Sequence, residues 1–405
     1  MLKFISTFYL IEKHYLSLST TNTMKNHKSR RDFIKKSIAV GIAIPILGSS
    51  LLACESKETK KLKILILGGT SFLGPHQIKY ALDRGHSVSI FTRGKTKSTV
   101  HPEVFSQVEH LIGDRNDNLT ALEKGEWDLV IDNSGRDVKW TTDTAELLKD
   151  RAKLYMYTSS TGVYYPYLGD NITEKTETLT KEPEALESED EKLEYWYGVM
   201  KTNSENAVVK AFGIDRTIIA RPTYMFGPGD KTNRFIHWPV RLAKGGEVMV
   251  PGKVDDLVQY ADVRDVAEFM IRLAENNTTG KFNIAGPTNQ QTMQEFVNEA
   301  KSAFDVDSKT VLIDDYDFLE KNGVYYLVPW IPPIGKNYGS SRTANSKAIA
   351  AGLTFRDLKT SVKEMHDWWY SDAMTQEQRD KFEKNPKGVL KKEEEIIKKW
   401  KALKG

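Results

Sequence analysis

Apolar and polar segments alternate regularly along the chain between residues 62 and 220. Short apolar runs rich in β-branched residues are each followed by a longer stretch in which apolar residues recur with helical spacing. The runs that predict strands lie at 62–67, 87–91, 108–112, 128–131, 154–158 and 217–220, and the helical stretches include 75–85, 141–149 and 205–212. This alternation predicts an α/β fold whose doubly wound parallel sheet is covered by helices on both faces.

The alternation is lost after residue 220. Segments 231–260 and 325–340 are rich in aromatic residues and proline, and we expect residues 221–370 to form a smaller, mixed α/β C-terminal substrate domain. Aromatic side chains in this part would either stack on the apolar face of a sugar or pack in a core. The candidates are Trp238, Trp330, Tyr325 and Tyr326.

Two strongly charged segments stand apart from this pattern. Residues 165–194 are predicted to form either a polar lid or a solvated face, because 171–194 holds nine acids and three lysines, a net charge of −6. Residues 371–405 are predicted to form a charged helical tail. Since 385–405 carries a net charge of +4, we expect an exposed helix there, with contact to a membrane surface as an open alternative.

Composition limits the kinds of site that the chain can hold. The single cysteine among 405 residues excludes a disulfide framework and a cysteine-based zinc site. The histidines show no metal-ligand spacing, so no metal site is predicted. The net charge of +3 comes from residues 1–53, which carry +6, whereas 54–405 carries −3. No nucleic-acid partner is expected, because such proteins usually present a cationic surface.

The basic N-terminus has the layout of an export signal. From Met24, a cationic segment with two adjacent arginines (Ser29 to Lys35) precedes an apolar run and Leu51-Leu52-Ala53-Cys54. The pattern resembles a twin-arginine (Tat) signal that ends in a lipobox, which implies lipidation of Cys54. The alternative is a basic helix start and a chance Leu-Leu-Ala-Cys sequence.

The export interpretation divides the N-terminal part into three segments. Residues 1–23 would be a misassigned upstream start, 24–53 the signal peptide and 54–61 a tether. The protein would then be exported by the Tat route and would reside as a periplasmic or outer-membrane-associated lipoprotein, bound to the membrane through a lipid anchor at Cys54.

A glycine-rich turn follows the first predicted strand and opens a predicted helix. In that context, glycines let the backbone approach a pyrophosphate closely, while the start of the helix offers free N–H groups. We therefore predict that the turn binds a dinucleotide. The residues predicted to hold it are Gly68, Thr70, Ser71, Phe72, Leu73 and Gly74.

Tyr197 and Lys201 are four residues apart and share one face of a predicted helix. A tyrosine has a pKa near 10, which makes it a poor base at neutral pH, and a neighbouring ammonium is expected to lower that pKa. The pair therefore predicts an acid/base tyrosine supported by a lysine. The alternative is a chance occurrence of this common spacing.

Six motifs in a fixed order resemble the extended short-chain dehydrogenase/reductases, specifically the NAD-dependent epimerase/dehydratase family, over about 62–365. The motifs are GGTSFLG (68–74), Gly113-Asp114, Asn133-Ser134-Gly135, TSSTGVY (158–164), YGVMK (197–201) and RPTYMFGPGD (221–230). The resemblance implies a Rossmann-type sheet in an NAD(P)-binding domain at 62–220.

The resemblance also implies roles for individual residues. Tyr197 would be the acid/base and Lys201 its partner, while Ser160 would hold the substrate oxygen, with Ser159 as the fallback assignment. Asp114 would contact the adenine. The turn that contains Asn133 and Gly135 would pack under the cofactor.

Three positions depart from the family pattern. Ser71 replaces the middle glycine of the fingerprint. Arg93 follows the second strand where NAD-binding relatives carry an acid, which slightly favours NADP over NAD, unless Arg93 stacks on the adenine. Val258 stands where nucleotide-sugar epimerases have a diphosphate-binding arginine, which argues against a nucleotide-sugar substrate.

We therefore expect an exported NAD(P)-dependent enzyme of the epimerase/dehydratase type that acts on a sugar-like small molecule. Redox-neutral chemistry is favoured, because no pool of free NAD(P) is expected outside the cytoplasm. The alternatives are a net reductase or dehydrogenase, or a non-catalytic nucleotide- or RNA-binding protein with the same fold. A homodimer also remains open.

Overall fold

The computed structural model describes residues 60–133, 135–186 and 188–405. The predicted signal, the tether up to residue 59 and the lipidation site Cys54 lie outside the described residues, as does Ser134. Within the described part, the main sheet has seven parallel strands in the order β10-β6-β5-β4-β1-β2-β3. These strands are β1 Lys63–Leu67, β2 Ser87–Thr92, β3 Glu109–Ile112, β4 Trp127–Asp132, β5 Ala152–Thr158, β6 Thr217–Pro222 and β10 Gly280–Ile284.

Alternate residues of the first strand pack on opposite faces of this sheet. Ile64 and Ile66 belong to one core cluster and Leu65 and Leu67 to another, since side chains along a strand point to alternate sides. Helices α1 and α5 cover the first face, and α2 and α3 the second. The bounds are α1 Leu73–Asp83, α2 Val138–Leu148, α3 Glu189–Phe212 and α5 Val263–Glu275. The predicted α/β fold with a doubly wound parallel sheet is confirmed.

The edge strand β10 comes from a part of the chain that was expected to belong to the substrate domain. It pairs in parallel with β6, from Gly280 opposite Ile218 to Ile284 opposite Pro222. Helix α5 precedes it and packs against α1. The main sheet therefore extends beyond the expected boundary at residue 220, because α5 and β10 return to complete it.

Most of the remaining elements surround a second core, whereas the short helix Ser346–Ala350 packs beside β10 at the edge of the main sheet. The short strands are β7 Met225–Phe226, β8 Gly246–Pro251, β9 Leu257–Asp262, β11 Gly286–Thr292 and β12 Ser308–Ile313. The helices are α4 His237–Leu242, α6 Met293–Ala300, α7 Tyr316–Lys321, α8 Ser346–Ala350, α9 Leu358–Trp369, α10 Gln376–Glu383 and α11 Val389–Lys404. Trp238 and Trp330 lie in this core, both fully buried. A sugar-stacking role is therefore excluded for these two tryptophans.

The C-terminal helix α11 packs against this second core along one side. Glu393, Ile396, Ile397 and Trp400 are buried, with the spacing of one helical face. Glu393 pairs with Arg241 and accepts a hydrogen bond from the backbone N–H of Met249 at 2.7 Å. The expected exposed tail is thus exposed on one side only, because its apolar positions recur with helical spacing. None of the helices that the structure describes is long and apolar enough to cross a membrane.

The beginning of the acidic segment 165–194 is fixed to the body of the protein. Ile172 forms a bridge with Thr343, and the Glu174 carboxylate accepts a hydrogen bond from the backbone N–H of Asn283 at 2.9 Å. The last part of the segment, from Glu189, forms the first turns of α3. The described residues between these two anchors are mostly exposed, as expected of a solvated face.

Candidate active site

The turn between β1 and α1 has the backbone geometry of a tight glycine turn. Gly68 has φ +82°, which favours glycine, and Phe72 takes the strained value φ +39° immediately before the helix. A Cβ atom at Gly74 would lie 2.4 Å from the carbonyl oxygen of Gly69, so only glycine fits there. No side chain caps the start of α1, where the N–H of Gly74 donates to the carbonyl oxygen of Ser71 at 3.1 Å.

Replacing Gly74 by alanine is expected to destabilise the protein by about 1–3 kcal/mol, because the added methyl group would force the Gly69 backbone to move. Gly169→Ala is the control, since its Cβ would meet nothing closer than 3.5 Å. Urea unfolding of both variants measures the difference. Equal stability of the two variants would contradict the close approach at Gly74.

A second turn, after β4, lies beside the glycine turn. The Asn133 side chain donates to Gln77 Oε1 at 2.6 Å and accepts from Thr158 Oγ1 at 2.8 Å, which ties the ends of β4 and β5 to α1. A Cβ atom at Gly135 would lie 2.5 Å from the Tyr157 ring, so this position also needs glycine. The turn is therefore closely packed at the carboxyl ends of these strands, which is where ligands bind in open parallel sheets.

The two residues predicted to contact the adenosine end lie at the ends of the neighbouring strands. Arg93 follows β2 and is exposed. Asp114 follows β3, pairs through its backbone with Asn118, and its carboxylate accepts a hydrogen bond from the N–H of Asn116 at 3.0 Å. Both positions thus lie at the same edge of the sheet as the glycine turn.

Lys201 lies on α3 and extends to the turn after β4. Its ammonium donates to the carbonyl oxygens of Gly135 at 3.2 Å and Thr158 at 3.0 Å. Burial lowers the pKa of Lys201 to about 8, against the nearby charge of Asp132, which raises it. Because an ammonium has three donors, one remains available for a ligand hydroxyl.

Tyr197 lies one turn before Lys201 and packs against the backbone at Gly162, where a Cβ atom would be 2.8 Å from the ring. Burial raises the pKa of Tyr197, while a hydrogen bond with Ser160 and the charge of Arg234 oppose the rise. The direction differs from the lowering that we expected from Lys201. The reason is that the ring is shielded from water and the ammonium is directed at two carbonyl groups.

The two serines after β5 have different partners. The Ser160 side chain is hydrogen-bonded to Tyr197 and accepts from the N–H of Gly162 at 3.0 Å. The Ser159 hydroxyl is buried and donates to Glu205 Oε1 at 2.6 Å. The structure therefore brings Ser160, Tyr197 and Lys201 together, and directs Ser159 into the interior.

The sequence did not reveal a buried ion pair that lies next to these residues. Arg221 at the end of β6 binds Glu205 of α3 through two hydrogen bonds, of 2.8 and 2.6 Å, and donates to the Tyr164 hydroxyl at 2.6 Å. The Tyr164 hydroxyl in turn donates to Asn283 of β10 at 2.7 Å. Glu205 is four residues after Lys201, so the helical spacing that singled out Tyr197 would also have found it.

A second buried pair supports the turn after β4. Asp132 accepts two hydrogen bonds from Arg115, at 2.8 and 2.9 Å, and one from the Tyr155 hydroxyl at 2.9 Å. Neither residue was singled out in the sequence. Their positions, one after β3 and one at the end of β4, could have identified them, because polar residues at the carboxyl ends of buried parallel strands often belong to the binding site.

The family comparison agrees with this geometry. Residues 64–285 match the model of the "NAD dependent epimerase/dehydratase family". The match covers β1 to β10, and so includes the edge strand that completes the sheet.

Among curated proteins, the chain is similar to the chloroplast stem-loop binding protein of 41 kDa b of Arabidopsis thaliana. The two are 29% identical over 241 residues, which are 55% of this chain and 58% of the relative. The chain therefore spans less than two thirds of the length of that relative.

Solved structures with the same fold include sugar-nucleotide enzymes. The Bordetella bronchiseptica enzyme WbmH, in complex with NAD+, is 14% identical with a TM-score of 0.55, over 78% of this chain and 100% of that chain. A UDP-glucose 4-epimerase of Bifidobacterium longum, in complex with NAD+ and UDP, is 17% identical with a TM-score of 0.53, over 80% and 99%. At this level of identity the similarity shows the fold. Together with the match over more than half of the chain, it places the protein in a family of enzymes: the chain belongs to the NAD dependent epimerase/dehydratase family.

Proposed function

We propose that the protein is an NAD-dependent epimerase or dehydratase that acts on a sugar or a sugar-like molecule. The observation that carries the proposal is the meeting of Ser160, Tyr197 and Lys201 at the carboxyl end of β5. Lys201 contacts Gly135 in the turn at the end of β4, and that turn lies beside the glycine turn at the end of β1. A hydroxyl, a phenol and an ammonium in this order form a path for a proton at a substrate oxygen.

The residues present fit a dinucleotide cofactor. Gly69 and Gly74 lie too close together for a side chain at Gly74, so the backbone of the turn is accessible to a pyrophosphate. The Lys201 ammonium donates to two carbonyl groups and has a third N–H for a ligand. The turn at 68–74 would hold the pyrophosphate, Asp114 the adenine and Lys201 a ribose hydroxyl. When bound, a nicotinamide supplies the hydride exchange that this family's name implies.

Within this proposal, Tyr197 acts in its phenolate form: it takes the proton from the reacting hydroxyl of the substrate and, as the phenol, later returns that proton. Ser160 holds the same oxygen through a hydrogen bond, and Lys201 offers its positive charge to the phenolate once the tyrosine has lost its proton. We propose a redox-neutral reaction, because the predicted export signal would separate the protein from free NAD(P). The exposed Arg93 supports NADP as an alternative to NAD.

The similarity to a stem-loop binding protein favours a second candidate function, binding of a structured nucleic acid. The net charge of −3 over residues 54–405 and the assembled Ser160, Tyr197 and Lys201 support the enzyme instead. Binding of a labelled RNA hairpin in low salt distinguishes the two. We expect no binding tighter than the nonspecific level.

The first test is the nucleotide content of the protein. A soluble form that starts at Lys60, purified without added nucleotide and then denatured, should release NAD or NADP, which mass spectrometry identifies. One reduced cofactor produced in each turnover would contradict the redox-neutral proposal. A site that is empty and binds neither cofactor when offered would contradict the enzyme.

Ser160→Ala is expected to lower kcat by about 10²- to 10³-fold, because it removes the hydrogen bond to the developing charge at the substrate oxygen. Ser159→Ala is the matched control, since its hydroxyl donates to the buried Glu205 carboxylate, and its loss should cost about 1.5–3 kcal/mol of stability with little effect on kcat. Steady-state kinetics and urea unfolding separate the two variants. The reverse pattern would assign the substrate contact to Ser159.

A further inference from the structure

Helix α3 carries a further ionisable group on the face that holds Tyr197 and Lys201. Residues 190, 194, 197 and 201 are spaced by four, three and four positions, so they lie on one side of the helix. Glu194 lies about 4.5 Å along the helix axis from Tyr197, towards the N-terminus. Because Lys201 extends towards Gly135 and Thr158 at the cofactor turn, Glu194 lies on the opposite side of Tyr197.

The Glu194 carboxyl has no hydrogen-bond partner in residues 60–405, leaving out positions 134 and 187. Burial raises its pKa to about 7, and the charge of Arg234 opposes that rise. Glu194 is half-buried, so its carboxyl is open to solvent. An accessible carboxyl without a protein partner, beside an acid/base tyrosine, is the type of group that a ligand can bind.

Several tyrosines lie within electrostatic range of this carboxyl. Five tyrosines from separate parts of the chain interact electrostatically with Glu194: Tyr165, Tyr167, Tyr197, Tyr224 and Tyr326. The other charged groups that face it are Arg234 and Asp190. The Arg234 guanidinium lies 5.4 Å from the centre of the Tyr224 ring and is oriented by Thr232 Oγ1 at 3.1 Å.

This set of groups is suited to a polyol. A carboxylate accepts hydrogen bonds from hydroxyl groups, a guanidinium donates to them, and aromatic rings pack on the apolar faces of sugars. A diphosphate is less suited to it, because Glu194 and the neighbouring Asp190 are both acidic and would repel the phosphate charges. Val258, at the position where the family's epimerases have their arginine, is buried in the second core and cannot reach a ligand.

We propose that Glu194 is a substrate-binding residue that accepts a hydrogen bond from a hydroxyl beside the one that Tyr197 deprotonates, and that the substrate is a sugar or polyol without a nucleotide diphosphate. This proposal depends on the proposed function, since it assumes that Tyr197 acts on a substrate hydroxyl. It adds the substrate class and a residue that determines it.

The experiment measures ligand binding to the protein as purified, saturated with its cofactor. The probes are methyl glycosides of glucose, galactose, mannose and xylose, compared with UDP-glucose, by titration calorimetry. At least one glycoside should bind, and Glu194→Gln should weaken that binding about 10- to 100-fold, as expected for loss of a charged hydrogen bond. The exposed Glu189, at the start of the same helix, provides the control Glu189→Gln, which should bind like the wild type.

A stability measurement distinguishes a ligand-binding role from a structural one. A carboxyl whose pKa is raised by folding destabilises the folded state above its unfolded pKa and has no such effect below it. Glu194→Gln should therefore raise the Tm by about 3 °C or more at pH 8 and leave it unchanged near pH 4. A lower Tm at pH 8 would show that Glu194 supports the fold, and would overturn the proposal.

The outcomes also separate this proposal from the proposed function. A protein that holds no nucleotide and binds none defeats the proposed function itself. A protein that holds nucleotide but binds UDP-glucose more tightly than every glycoside defeats only the substrate class. Wild-type binding by Glu194→Gln, or no glycoside binding up to about 50 mM, also overturns the inference.

Discussion

Replacing Tyr197 by phenylalanine is expected to lower kcat by about 10²- to 10⁴-fold while leaving the bound nucleotide in place. The variant keeps the ring that packs against Gly162 and loses only the hydroxyl that is hydrogen-bonded to Ser160. The loss should appear in kcat rather than in cofactor content, because the turn at 68–74 and Lys201 remain intact. The measurement is steady-state kinetics with a sugar that the wild-type protein converts, together with nucleotide analysis of the denatured variant.

Tyr195→Phe is the matched control for this experiment. Tyr195 lies two residues away on α3, is buried, and its ring contacts that of Tyr165 at 4.8 Å. Its replacement should leave kcat within about a factor of three. Comparable losses in both variants would indicate that the tyrosine cluster acts through packing. An unaffected Tyr197→Phe variant would support a protein that binds without catalysis.

Glu205→Gln is expected to lower the free energy of unfolding by about 3–5 kcal/mol. The side chains of Glu205 and Arg221 are no more than 1% exposed, so neutralising the glutamate leaves a guanidinium without its counter-charge in the interior. The Ser159 hydroxyl loses its carboxylate acceptor as well. Urea unfolding followed by circular dichroism measures the change.

The exposed pair of Glu146 and Lys149 provides the control for that experiment, since Glu146→Gln removes a charge that water already screens. Its unfolding transition should match the wild type. If Glu205→Gln unfolds at the wild-type urea concentration, the buried pair is not a determinant of stability. A loss of kcat without loss of stability would instead indicate that Glu205 acts through Ser159 on the neighbouring Ser160.

The regular part of the fold could be predicted from the sequence, because local pattern and tertiary structure agree there. The run at 62–67 became β1, and the glycine turn after it opens α1 as expected. The common face of Tyr197 and Lys201 could be predicted for the same reason, since their four-residue spacing places both side chains on one side of α3 whatever the rest of the chain does.

The remainder depended on contacts between distant parts of the chain. The sequence of β10 resembles any short strand, and nothing local shows that it pairs with β6. The buried Trp330 was indistinguishable from a sugar-stacking residue until its indole N–H was seen to donate to Asp256 at 2.7 Å. The direction of the Tyr197 pKa shift also depended on burial, which the spacing of residues does not reveal.

Strand β10 follows its partner β6 by about sixty residues in the sequence, which affects when the main sheet can be completed during synthesis. Strand β6 is paired on one side with β5 and on the other with β10, so it remains an open edge until Gly280 and the residues after it have been synthesised. Open edges of parallel sheets promote association between chains. A nascent or truncated chain that ends before Gly280 would therefore be prone to aggregation. The sheet that carries the proposed cofactor site is thus complete only when most of the protein has left the ribosome.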